Sequence, residues 1–116
     1  MAKITYKKKD ILHHFNIPLF KNTDALISVF DNTMSPKYLT GDILAVQFID
    51  KTDFIQWNKP YAIGSKNQGL LLKRVQQSSD RSKFTLISEN KDYGDFDITF
   101  EDIKTIAIVR GVVRLE

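Results

Sequence analysis

Short β-prone runs separated by turn-forming residues follow one another regularly along this chain, and they limit the folds it can adopt. From residue 25 onward, runs of about four to eight β-branched and aromatic residues alternate with clusters of Asn, Asp, Gly, Pro and Ser. Such runs have the length and composition of strands and are too short for core helices. The pattern predicts seven strands, at residues 25–30, 42–49, 60–65, 69–76, 82–88, 95–100 and 103–115.

The connections between these runs indicate how the strands are arranged. Asn67-Gln68-Gly69 predicts a tight hairpin between the third and fourth strands, and residues 77–81 join the fourth to the fifth. The last run is long and apolar, and Gly111 inside it predicts a bulge where one strand serves two parts of a curled sheet. We therefore expect a mainly β fold, a small and partly open antiparallel barrel.

The first 20 residues have a different character. Three lysines, Lys7–Lys9, precede Asp10, a possible N-cap for a short helix that ends before Pro18. Residues 1–20 are interpreted as a linker-like lead-in to a single domain that spans residues 1–116. The adjacent His13 and His14 have no further ligand at a suitable spacing, so a metal site is not expected.

The composition limits the function classes. At 116 residues the chain is one domain, and its 42% hydrophobic and 27% charged residues are typical of globular proteins. It has no cysteine, which excludes disulfides and thiolate metal sites, and no apolar run suited to a signal sequence or a membrane span. We expect a cytoplasmic protein without cofactor, metal or membrane contact. The net charge of +3 is weak support for direct nucleic-acid binding.

One stretch carries a specific signal. Thr33-Met34-Ser35-Pro36 follows a predicted strand, and Gly41-Asp42 opens the next one. This arrangement resembles the serine motif and the following Gly-Asp of the LexA-like repressor peptidases and their signal-peptidase relatives. The resemblance implies a barrel of the LexA C-terminal type with Thr33 at the nucleophile position. It also implies an oxyanion hole at the backbone N–H groups around Thr33 and Met34.

A second element agrees with this resemblance. The stretch Leu71-Leu72-Lys73-Arg74-Val75 is similar to the family's lysine strand, in which the lysine is the general base of a serine–lysine dyad. On a strand, Lys73 shares its face with Leu71 and Val75, so it interrupts an apolar stripe. Burial lowers the pKa of an amine and lets it accept a hydroxyl proton near neutral pH. The alternative is a lysine at a sheet edge whose ammonium group reaches solvent.

Departures from the family pattern argue against an intact peptidase. Threonine stands at the nucleophile position, where its methyl group restricts χ1, and Asp31 replaces the usual glycine two residues earlier. A carboxylate directed at Lys73 would favour the charged amine and weaken it as a base. The chain has no Ala-Gly pair for self-cleavage, and only residues 21–24 separate Phe20 from the first strand. The helix-turn-helix domain that family repressors carry is also absent from this chain.

We therefore expect the C-terminal dimerisation and regulatory domain of a phage-repressor-like transcriptional regulator, with a degenerate peptidase site. Its expected partner is a second copy, bound through residues 105–115, and any DNA contact is indirect, through the absent helix-turn-helix domain. Two alternatives remain open. One is an active Thr33/Lys73 peptidase that cleaves other chains. The other is a small barrel that binds single-stranded nucleic acid near Arg74, Arg81 and Lys83.

Overall fold

The computed structural model describes residues 23–50 and 55–114 of the chain. The strands in these ranges are β1 (Ala25–Ser28), β2 (Ile43–Phe48), β3 (Lys59–Ser65), β4 (Gly69–Gln77), β5 (Lys83–Ile87), β6 (Phe96–Thr99) and β7 (Ile103–Val113), and a 3-10 helix (Phe100–Asp102) precedes β7. These bounds confirm the seven predicted strands to within two residues at each end. The predicted short helix of the lead-in, with His13 and His14, lies outside the described residues.

The strands form one antiparallel sheet in the order β1-β2-β7-β3-β4-β5-β6. Because β1 and β6 end the order without pairing to each other, the barrel is not closed, as predicted. β7 pairs with β2 on one side and with β3 on the other. The β2–β7 register shifts where Ala45 lies opposite Gly111 and Val46 lies opposite Val109, so the bulge predicted at Gly111 is confirmed.

The β3–β4 hairpin fixes where Lys73 lies. Ser65 pairs with Gly69 at the turn, and Gly69 has a φ of 80°, a conformation that glycine adopts without steric cost. Asp102 holds this turn, because its carboxylate accepts hydrogen bonds from Ser65 Oγ and Asn67 N. The resulting register places Lys73 opposite Tyr61 on β3.

Both faces of the curled sheet bury apolar side chains, and they form two separate clusters. Alternate residues of β4 divide between them, since Leu70 and Leu72 join one cluster while Leu71 and Val75 join the other. The first cluster also contains Met34 from the turn after β1. Lys73 therefore lies on the face of the second cluster. In the described ranges, no helix has both the length and the apolar character required to cross a membrane.

Candidate functional site

The turn between β1 and β2 carries the predicted nucleophile. Its two ends are joined by backbone hydrogen bonds, from Val29 N to Asp42 O and from Gly41 N to Val29 O, each 2.9 Å long. Gly41 has a φ of 96°, which explains why glycine stands there. The side chain of Met34 is only 1% exposed and anchors the middle of the turn in the first apolar cluster.

Asp42 fastens this turn to the end of β7. Its carboxylate is buried and accepts hydrogen bonds from Arg114 Nη2 at 2.6 Å, Arg114 Nε at 2.9 Å and Leu39 N at 2.8 Å. The guanidinium group of Arg114 is the main reason that the pKa of Asp42 is lowered. The Gly41-Asp42 pair thus shapes the turn that carries Thr33.

Within the turn, the hydroxyl of Thr33 is bonded to its own near neighbour. Thr33 Oγ1 donates to Asp31 Oδ1 at 3.0 Å, and Thr33 N donates to the same oxygen at 3.3 Å. Thr33 is nearly buried, whereas Asp31 is partly exposed. One of the backbone N–H groups predicted for an oxyanion hole is therefore already occupied by a carboxylate oxygen.

Lys73 is buried, which confirms its place in an apolar stripe and excludes the edge-lysine alternative. Its side chain is 5% exposed, and Nζ donates to Ser88 Oγ at 2.6 Å. The rings of Tyr93 and Phe96 have their centroids 5.7 and 5.9 Å from Nζ. Burial lowers the pKa of Lys73, and the carboxylates of Asp31 and Asp95 partly oppose that shift.

The loop between β5 and β6 joins the two halves of the site. Asn90 N donates to Thr33 O at 3.0 Å, and Asn90 Nδ2 donates to Asn32 O at 3.0 Å. Tyr93 Oη donates to Asn32 Oδ1 at 2.7 Å, and Ser88, which bonds to Lys73, begins the same loop. Sequence reasoning assigned these residues no role, although Ser88-Glu89-Asn90 with Tyr93 is loosely similar to the family pattern.

A comparison with protein-family models agrees with this geometry. The model described as Peptidase S24-like matches residues 3–110, a range that contains the β1–β2 turn, Lys73 and the β5–β6 loop. The chain belongs to the peptidase S24-like family. This membership confirms the resemblance to the LexA-like C-terminal domains. The chain matches no curated protein.

This S24-like site is assembled, but its hydroxyl and its amine are not bonded to each other. Within residues 23–50 and 55–114, the hydroxyl of Thr33 donates to Asp31 and the amine of Lys73 donates to Ser88. A general base must lie within hydrogen-bond reach of the proton that it removes. The same ranges contain no group of three His, Cys, Asp or Glu side chains placed to hold a metal ion.

Two of the three basic residues considered for nucleic-acid binding, Arg74 and Lys83, lie next to carboxylates in this S24-like domain. Arg74 pairs with Glu89 at 2.7 Å, and Lys83 lies 3.9 Å from Asp80. Phe84 on β5 is buried, so it offers no ring for base stacking. Trp57 is partly exposed, but its ring packs edge-on against Phe84 at 5.7 Å between centroids.

Proposed function

We propose that this S24-like domain is the dimer-forming, regulatory domain of a phage-repressor-like transcriptional regulator, and that its peptidase site is inactive as it stands. One observation supports an inactive site: the hydroxyl of Thr33 and the amine of Lys73 are hydrogen-bonded to different partners. The hydroxyl of Thr33 donates a hydrogen bond to Asp31, and the amine of Lys73 donates one to Ser88. The base bonded to the Thr33 hydroxyl is therefore a carboxylate, and carboxylates are much weaker bases than an amine, so this hydroxyl is a poor nucleophile for a peptide bond.

The apolar surface at one end of the sheet supports a second copy as the partner. Six large apolar side chains of the described residues are exposed, and four of them, Phe30, Leu39, Val112 and Val113, belong to this end. Here the end of β1, the start of β2 and the end of β7 lie side by side. Exposed apolar patches of this kind mark interaction sites, and a two-fold dimer uses the same patch on both copies.

The exposure of the residues in β7 limits the proposed interface to the end of that strand. Residues 105–115 were predicted as the interface, but Ile106–Ile108 are buried inside the sheet. Val112 and Val113 are 41% and 38% exposed, so the proposed contact is centred on them. A dimer of this domain would hold two attached DNA-binding domains at the spacing of operator half-sites, without touching DNA itself.

Sedimentation equilibrium of the chain tests this proposal. We expect a concentration-dependent dimer that the double variant Val112→Lys/Val113→Lys weakens by at least tenfold, since two charges would be placed in an apolar contact. Thr99→Lys, on the exposed side of β6, is the matched control and leaves the dimer unchanged.

Two results would contradict the proposal. A wild-type chain that stays monomeric at high micromolar concentration would exclude the dimer. Cleavage of an Ala-Gly peptide by the wild type, lost in Thr33→Ala, would show that the site is active.

A further inference from the structure

We propose that Asp31 is the positioning residue that keeps the hydroxyl of Thr33 away from Lys73, and that the site holds a latent reactive hydroxyl which the loss of Asp31 releases. This inference rests on the proposed function, because it takes the site to be inactive as it stands. It concerns one residue in which this chain departs from its family.

The contact that blocks the hydroxyl is local. Among the described residues, the hydrogen bonds of the Asp31 carboxylate all come from Thr33, from the hydroxyl at 3.0 Å and from the backbone N–H at 3.3 Å. Asp31 is partly exposed, so its removal leaves no buried polar group other than Thr33 itself without a partner. The hydrogen bonds between Asp31 and Thr33 can therefore be removed by substitution without disturbing the core.

A single carboxylate oxygen blocks two functions at once. Asp31 Oδ1 accepts a hydrogen bond from the Thr33 hydroxyl, so the proton that a general base would have to remove points at Asp31. The same oxygen occupies the N–H of Thr33, which would otherwise donate to the oxygen of a bound carbonyl group. Asp31 thus stands where a substrate oxygen would be expected, and a neutral acyl group competes poorly with it for these donors.

The other side chains of the site are held in place by bonds that do not involve Asp31. Lys73 is held by β4 and by its bond to Ser88, and burial favours its neutral form. Asn90 holds the carbonyl oxygen of Thr33 at 3.0 Å, and Tyr93 holds Asn32 at 2.7 Å. These bonds keep the turn against the β5–β6 loop after Asp31 is replaced. The charge of Asp31 acts on Lys73, so the buried amine lies within electrostatic range of the turn, and it is the base that we assign to the Thr33 hydroxyl once Asp31 is gone.

The test uses N-acetyl-alanine boronic acid, a small electrophile that forms a reversible bond to a reactive hydroxyl. The oxygen of Thr33 forms a bond to the trigonal boron, no bond to boron breaks, and the hydroxyl proton passes to the Lys73 amine. Boron becomes tetrahedral and negatively charged next to the lysine ammonium group. ¹¹B NMR detects this change of geometry directly, which a merely structural role of Asp31 would not produce.

We expect Asp31→Ala to bind the boronic acid at least tenfold more tightly than the wild type and to show the tetrahedral signal. Asp31→Asn keeps an acceptor oxygen but not the charge, so its affinity should lie between the two, about threefold above the wild type. Thr33→Ala in either background should abolish binding. Asp31→Asn also serves if the alanine variant fails to fold, which circular dichroism would show.

Asp95→Ala is the matched control, because Asp95 also acts on the charge of Lys73 but has no hydrogen bond to Thr33. It should change the affinity by less than threefold. The inference is overturned if Asp31→Ala binds no more tightly than the wild type, if Asp95→Ala gains as much, or if binding survives in Thr33→Ala. Tight binding by the wild type would overturn the inactive site of the proposed function as well, whereas weak binding by both would overturn this inference alone.

Discussion

The two halves of the candidate site are held in different ways. Lys73 lies in the middle of β4, and the pairing of that strand with β3 and β5 fixes its backbone. Thr33 lies in a turn, and a side chain two positions away determines where its hydroxyl donates. The position of the amine therefore follows from the sheet, whereas the chemistry of the hydroxyl depends on one neighbouring residue.

This difference shows where a substitution can change the activity of such a domain with little loss of stability. A substitution next to Lys73 would disturb the second apolar cluster, whose residues are packed on all sides. Asp31 is at the partly exposed edge of a turn, where a new side chain meets little resistance. The turn can thus be altered chemically while the fold and the buried amine persist.

The largest effect is expected from a substitution that loosens the turn between β1 and β2. Met34→Ala removes the side chain that anchors the turn and whose Sδ accepts a hydrogen bond from Glu89 N at 3.4 Å. We expect the free energy of unfolding to fall by about 3 kcal/mol, because a buried cavity is left. Met34→Leu, which keeps the volume, should cost less than about 1.5 kcal/mol. Urea denaturation measures both, and a loss from Met34→Ala no larger than that from Met34→Leu would show that the turn is not anchored there.

The sheet half can be tested through pH. The pKa of Lys73 is lowered in the folded state, so folding is penalised at neutral pH, where the unfolded chain holds the proton more tightly. The penalty disappears as the pH rises from the lowered pKa towards the ordinary lysine value of about 10.4. The variant Lys73→Met/Ser88→Ala removes both bonded groups and should be more stable than the wild type by about 1 kcal/mol at pH 7.

The stability advantage of the double variant should shrink as the pH is raised to about 10. Only the wild type has a buried amine, and it becomes more stable when that amine loses its proton. Ser88→Ala alone is the control, since it keeps the amine and its titration. A difference in stability that stays constant between neutral and alkaline pH would contradict a buried, titrating amine.

The smallest expected effect concerns the loop that joins the two halves. Tyr93→Phe removes the hydrogen bond to Asn32 from a partly exposed side chain, so global stability should fall by only about 0.5–1 kcal/mol. Hydrogen exchange of the amides at residues 31–33 should become faster, because the turn is held less firmly. Thr85→Val breaks a comparable exposed bond to Asp97 on the far side of the sheet and should leave those amides unchanged. Equal exchange in both variants would mean that the loop does not hold the turn.

Most of the architecture follows from local features of the amino-acid sequence. Turn residues and β-prone runs placed seven strands, Gly111 marked the bulge in β7, and the alternation around Lys73 put its side chain on an apolar face. These features follow from short-range conformational preferences and from the two-residue period of a strand. The motif from Thr33 to Asp42 and the strand around Lys73 indicated the family, and the family model that matches residues 3–110 shows it.

Which groups meet in the site follows from the three-dimensional arrangement of the strands and loops. The sequence left open where the carboxylate of Asp31 points; its charge acts on Lys73, but its hydrogen bonds come from Thr33. Ser88, the partner of Lys73, is 15 positions further along the chain, and Asn90 meets a turn 58 positions before it. Hydrogen bonding depends on distances and angles set by the curl of the sheet and the path of the loop. Local preferences of the chain do not contain that information.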